Sequence, residues 1–317
     1  MTLTVLIARR LLLGVLILLI VSVLVFIGTE ILPGDVAQAI LGQGATPELI
    51  ETVRERLGLN APAYQRYFTW LGNLLTGNLG TSLVSQADIA DLIGERIFNT
   101  VLLAGITALI AVPLAICLGL LSALKPDSWT DRIISTVSLS LISLPDFLVA
   151  ILLVSIFAVQ LGWLPAIANM RPGQDFFTIA RMMVLPVTVL VFTVLAHMVR
   201  MTRTAVINVL SSPATEMAIL KGVPRWRLLF VHALPNALAP IANVVALNLA
   251  YLISGIVVVE TLFNFTGLGR LMVEAVTTRD IPVVQVCAMI FCSVYVLLNL
   301  VADVISIVSN PRLRYPK

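Results

Sequence analysis

LLLGVLILLIVSVLVFIGTEIL, residues Leu11–Leu32, decides the class of this chain. It carries no charge before Glu30 and no proline. A helix needs roughly 20 mostly apolar residues to cross a hydrocarbon layer about 30 Å thick, and this run supplies them. Arg9 and Arg10 precede it and Ala37-Gln38-Ala39 follows, which together have the outline of a cleavable secretory signal. The run exceeds the roughly 7–15 apolar residues of a signal core, so it reads as a retained first span.

Working outward, five more runs of this kind follow the span at 9–32: 99–124, 133–160, 182–199, 236–260 and 284–308. They are continuous and lack the period-two alternation of a barrel strand, so they predict helices. Of 317 residues, 59% are hydrophobic and 12% charged. Soluble domains carry about 25% charge, so lipid must solvate much of this surface. The expected fold is an all-α integral membrane protein with six transmembrane helices. The net charge of +3 is small, and arginines sit at the ends of apolar runs, with no basic stripe for nucleic acid. Cys117, Cys287 and Cys292 lie within apolar runs and read as small buried hydrophobes, and no metal-ligand spacing occurs.

Lysine and arginine in short loops set the orientation. With the N-terminus inside, the cytoplasmic set is Arg9, Arg10, Lys125, Arg132, Arg200, Arg203, Lys221, Arg225, Arg227, Arg312, Arg314 and Lys317, which is 12 of the 20 basic residues. Arg54, Arg56, Arg66 and Arg96 fall in the long first outer loop, where the rule has little force. Both termini are then cytoplasmic, and Trp163 stands at the outer end of the third span as an interfacial anchor. The chain divides into 1–98, the first span with a helical outer loop, and 99–317, the remaining five spans. Within the outer loop, Thr46-Pro47 and Asn60 to Pro62 each open a short helix, closed by Gly58 and by Gly72 to Gly77. This small lobe is amphipathic and is expected on the outer membrane surface.

The inner loop at about 200–235 is built differently. Ser212 can cap, Pro213 suits a first helical position, and Glu216 complements the positive helix end. Lys221 suits the negative end and Gly222 a left-handed stop. The spacing predicts a short cytosolic helix over 213–221. Met217, Ala218, Ile219 and Leu220 make it apolar around most of its circumference, so it wants a partner or lies on its own membrane domain.

No catalytic constellation emerges. None of the three lysines follows a glycine, so a phosphate-binding G-x-x-x-x-G-K-[ST] loop is absent. If transport consumes ATP, another subunit must hydrolyse it. Asp146 is the one ionisable residue clearly in mid-span, where a charge costs roughly 2.5–3.5 kcal/mol on insertion scales. It follows Pro145, which breaks the helix. Asp146 therefore either lines a polar pathway, where it meets a cationic amine, or caps the restarted helix. Glu30, His197, Glu260 and Asp303 lie near span ends, where interfacial solvation accounts for them. A proton-coupled carrier would show more buried carboxylates.

Several segments resemble one family, the B-type permeases of dipeptide, oligopeptide, glutathione and nickel importers driven by ATP-binding-cassette ATPases. The inner loop resembles the family's EAA motif: Glu216, Ala218, Gly222, Leu234 and Pro235 fall in register, with Met217 and His232 as departures. FIGTEILPGD (26–35), LGLNAPAYQRYFTWLGNLLTGNLGTSL (57–83), FNFTGLGRLMVEAVTTRDIPVVQ (263–285) and the tail NPRLRY (310–315) resemble the end of its first span, its two main outer loops and its C-terminus.

The resemblance implies a multi-pass permease subunit of the bacterial inner membrane that translocates peptides or similar small solutes. Its implied partners are a paralogous permease in a heterodimer, two ATPase subunits, a periplasmic solute-binding protein and membrane lipid. No cofactor is expected in this chain, with ATP and Mg held by the ATPases. Pro213, Glu216, Met217, Ala218, Leu220, Lys221 and Gly222 would form the coupling helix. Phe263, Gly267, Gly269 and Arg270 would belong to an outer gate, with the two glycines as tight turns or as parts of an ordinary hairpin. Peptide, glutathione, nickel chelate and oligosaccharide or opine-like ligands all stay open. A stand-alone secondary transporter or channel, and a membrane scaffold without transport, are the competing classes.

Overall fold

Backbone groups in lipid have no water to bond, and this chain satisfies them within helices. The structure is a computed structural model, and it describes residues 3–31, 46–56, 60–170, 173–224, 227–228 and 234–309. The first helix, α1, runs Leu3–Ile31. Two short helices follow, α2 at Pro47–Arg56 and α3 at Ala63–Leu75. Then come α4 at Ile89–Leu124 and α5 at Trp129–Ile142. After these, α6 covers Asp146–Leu153 and continues in wider π-helical turns over Val154–Gln160. Next are α7 at Phe176–Leu210 and the short α8 at Pro213–Leu220. The chain ends with α9 at Leu234–Leu262, α10 at Leu268–Thr278 and α11 at Ile281–Ser309.

Five of these helices, α1, α4, α7, α9 and α11, are long and apolar enough to cross a membrane. The sixth expected span, 133–160, is not one rod: α5 and α6 meet at a bend of 101°. Pro145 supplies no N–H and disfavours helical backbone at Leu144, and its own ψ of 140° or so is extended (φ −60, ψ 141). Proline alone does not break a span here. Pro113, Pro186 and Pro240 lie inside α4, α7 and α9, which continue through them.

The chain clusters into two compact units. The first comprises Met1–Leu13, Val101–Phe265 and Leu297–Lys317. Its centre is α7, on which α5, α6 and α9 pack. Leu185, Val189, Leu190, Val194, Met198 and Val199 of α7 form one core with Leu252, Ile256 and Val259 of α9. In the most apolar stretch of α7, 67% is buried, against 11% for α1, so α7 is an interior helix while α1 is covered by little else of this chain. Helices in lipid associate by close van der Waals contact rather than by hydrophobic expulsion, which favours small residues at crossings. Gly119 of α4 is such a residue: a Cβ there would lie 2.8 Å from Thr202 Cβ and Cγ2.

The second unit comprises Gly14–Thr100 and Thr266–Val296. Ile89, Ile93, Leu268, Leu271, Val283 and Val286 form its core. The aromatic face of α3 packs on α1, with Tyr67 edge-on to Phe26 at 5.5 Å and its hydroxyl 2.9 Å from Ser22 Oγ. Arg66 bonds Glu30. Buried Asp280 accepts from the Leu83 N–H at 3.0 Å and from the Ser82 hydroxyl. The outer-loop lobe is thus fastened to the first span through Tyr67 and Arg66, while Tyr64 and Phe68 stay exposed. The turn signals at Asn60 and Thr46 fall at the helix starts, whereas Gly58 lies outside the described residues.

Candidate coupling helix and translocation path

After Leu210 the chain leaves α7 through Ser211 and Ser212, and Pro213 opens α8. The Ser212 carbonyl accepts from the Thr215 N–H at 3.0 Å, and the two hydroxyls lie 3.1 Å apart. The Thr215 hydroxyl donates back to the Val209 carbonyl at 3.0 Å, so the start of α8 is tied to the end of α7. The helix ends at Leu220, one residue before the sequence expectation, and Gly222 then takes φ +76. This is the left-handed stop that the sequence predicts, and no Cβ would clash there, so the constraint is on the backbone alone. Met217 and Leu220 are 57% and 76% exposed. Lys221 is exposed as well. The side chains of Glu216 and Ala218, like His232 and the tail 310–317, lie outside the described residues. A cavity of about 560 Å³ opens beside α8, lined by Asn208, Val209, Ser212, Thr215, Asn236 and Pro240.

Asp146 is the first residue of α6, after the N-cap Pro145. Thr193 Oγ1 of α7 donates to Asp146 Oδ1 at 2.9 Å. Oδ2 faces Gly255 of α9, 3.8 Å from where a Cβ would stand. The carboxylate thus stands at the first position of the helix it starts and also reaches across to α7. Asp146 is half-buried and stands at the break of the span.

Phe263 is 1% exposed, and its carbonyl accepts from the Ala168 N–H at 2.7 Å. Gly267 and Gly269 are not tight turns. Gly267 caps α10 with φ −119, Gly269 lies buried in the first turn, and Asn264 carries the left-handed φ of 53 in this segment. Arg270 bonds Glu274 one turn on at 2.7 Å, and Arg96 approaches the same carboxylate at 3.7 Å.

Sequence reasoning missed three buried acids among the described residues: Asp280, whose bonds to Ser82 and Leu83 are given above, Glu260 and Asp131. Glu260, which the sequence places near a span end, is fully buried at the end of α9, next to the core residue Val259. Asp131, at the start of α5, is 3% exposed. Arg203 of α7 grips it with both arms, Nε to Oδ1 at 2.7 Å and Nη2 to Oδ2 at 2.6 Å. The Ser122 hydroxyl, the Ser135 hydroxyl at 3.3 Å and the Asp127 N–H also donate to this carboxylate. One signal for it was available: Ser128-x-x-Asp131 has capping-box spacing, and Ser128 Oγ accepts from the Asp131 N–H at 3.3 Å. Glu30 and Asp303 do sit at span ends, paired with Arg66 and Arg10, and His197 is exposed.

Residues 115–315 match the family described as the inner membrane component of binding-protein-dependent transport systems. Residues 3–104 match its N-terminal companion. The chain belongs to this family. The glutathione transport system permease protein GsiC of Escherichia coli O6:H1 is 38% identical over 298 residues, 94% of this chain and 95% of that protein. The proteins of the same name from Escherichia coli K12 and Shigella dysenteriae serotype 1 are likewise 38% identical over 298 residues. This chain is a multi-pass inner-membrane permease subunit of an ATP-binding-cassette importer. The stand-alone carrier and the scaffold are thereby set aside.

Proposed function

We propose that the permease pairs with a paralogous permease, binds two ATPase subunits through Pro213–Leu220, and receives peptides or glutathione-like solutes from a periplasmic binding protein. Hydrolysis would lie wholly in the ATPases, with ATP and Mg bound there. The observation that carries this reading is the exposed apolar surface of α8. Met217 and Leu220 stand out from a helix that has a built start and a built stop, within the EAA-like loop. A lone helix of this length is marginal in water, so it is held in place by its anchors and presented to something.

The relatives' names give glutathione as their solute, and the general chemistry of that class fits one feature of the membrane interior. Peptides and glutathione carry an ammonium group, and Asp146 offers a carboxylate oxygen beside Gly255 at the bend between α5 and α6. Asp146 is the path residue in this reading, while Phe263, Gly267, Gly269 and Arg270 belong to the outer closure. ATP would favour one access state and the loaded binding protein the other, each by its differential affinity. The test is purification of the tagged permease co-expressed with candidate ATPase and permease subunits, followed by ATP-driven uptake of glutathione and dipeptides into vesicles. Co-purified ATPases and uptake of an amine-bearing solute are expected. A permease that purifies without ATPases would overturn the reading.

A further inference from the structure

We infer that Asp131 and Arg203 are positioning residues of the transport cycle, strapping α5 to α7 so that movement of α8 reaches the bend at Pro145. The inference rests on the reading of Pro213–Leu220 as the ATPase contact. Its observations are independent of that reading and come from polar groups 72 residues apart in sequence.

Among the described residues, two polar ties join the α5–α6 segment to α7. Near the α8 end, Arg203 clasps Asp131 with a two-armed fork, and Ser122 and the Asp127 N–H hold the same carboxylate. At the bend, Thr193 donates to Asp146. Thr193 and Arg203 are ten residues apart on α7, about 15 Å at 1.5 Å per residue. Asp131 and Ile142 span a similar length of α5, running the opposite way, so the ties fasten it near both ends. Between them Ile134 packs on the core that includes Met198 and Val199. Arg203 itself lies two turns before the end of α7, and Thr215 bonds that end to α8.

A charged pair with 4% and 27% of its side chains exposed does not separate freely, because each partner would be left without its counterion. Displacing the last turns of α7 therefore draws the start of α5 along. Since α5 leads into the 101° bend, and Asp146 beyond it is tied to α7 again, the displacement arrives at the broken span as a shift of the bend itself. A single-armed or uncharged contact would let the helices slip. Arg203 fits this task better than lysine, whose point charge has no fork.

The experiment uses the permease in complex with its ATPases in lipid, with Cys117, Cys287 and Cys292 replaced by serine and one reporter, Leu144→Cys, at the bend. The rate of its labelling by a thiol reagent is measured with and without ATP and Mg. With Asp131 and Arg203 in place, nucleotide is expected to change that rate at least about fivefold, the lower end of ordinary allosteric coupling. Asp131→Asn with Arg203→Met removes both charges together, which often leaves a fold as stable as before. In this double variant the ATPases should stay bound while the nucleotide effect at Leu144→Cys disappears. A purely structural pair predicts the reverse: once folding is restored, so is the nucleotide effect. Arg203→Lys keeps the charge without the fork and should lose most of the effect, and it decides the matter if the double variant fails to assemble. A full nucleotide effect in a variant that binds ATPases overturns the inference. If the intact permease binds no ATPase, the reading of α8 fails first and this inference falls with it.

Discussion

The α8 segment and the Asp131 site are built on opposite principles. At α8, an eight-residue helix shows Met217 and Leu220 to the outside and is held by hydroxyl and backbone bonds at its start. At Asp131, a carboxylate is hidden from the outside and held by an arginine fork, a serine and a backbone N–H. The first arrangement suits a surface that meets another protein, because its apolar area is still unspent. The second suits an internal joint, because its bonding is complete. An uncovered apolar surface is free to meet another protein, whereas a closed set of bonds holds two helices of the same chain together.

Substitutions that sharpen this contrast should differ in kind. The largest loss is expected for Asp131→Ala, which leaves the Arg203 guanidinium facing Ser122 without its anion. It should cost about 2–3 kcal/mol, below the values for fully buried pairs because 27% of the Arg203 side chain is exposed. Thermal unfolding of the purified permease measures it, and an unchanged melting temperature would mean that the pair is not load-carrying. Next comes Gly119→Leu. A Cβ at 2.8 Å from Thr202 already forces a shift, so overpacking of about 1–3 kcal/mol and a lowered melting temperature are expected. Normal stability there would place the α4 crossing wider than described.

Gly222→Val tests the other end. Its φ of +76 strains a β-branched residue by about 1–3 kcal/mol, but only locally, so all spans should insert while ATPase binding weakens. Binding at the normal level would show that the stop geometry is not needed. The smallest effect is expected from Asp146→Asn. Asparagine keeps the Thr193 bond and the space beside Gly255, so stability should not change. Uptake of amine-bearing solutes should fall while nucleotide hydrolysis persists, and uptake at the normal rate would remove Asp146 from the path.

How much of this was readable in advance follows the same division. Signals confined to a few neighbouring residues were legible: Pro213 and Gly222 bracket α8, Pro62 opens α3, and the apolar runs mark the membrane helices. The break at Pro145 was legible as well, though the 101° turn that follows it depends on how α6 packs against α7 and α9. Bonds between distant residues were not. Nothing in the sequence next to Asp131 names Arg203, and the arginine read as one more cytoplasmic cation of the orientation rule. Glu260 looked interfacial because its depth is set by the residues packed around the end of α9, which a linear reading cannot supply. Gly267 and Gly269 illustrate the opposite error. Glycine suggested turns, yet the positive φ fell on Asn264 and the glycines went to the start of α10.

The most direct test of the account is ATPase retention by a permease whose α8 surface has been made charged. In Met217→Glu with Leu220→Glu, two side chains that are 57% and 76% exposed become acidic, with no loss of core packing. This variant is expected to insert all its spans, melt at the same temperature and purify without ATPase subunits, while the unaltered permease carries them. ATPases retained in full by the variant would contradict it and place the cytoplasmic contact elsewhere on the chain.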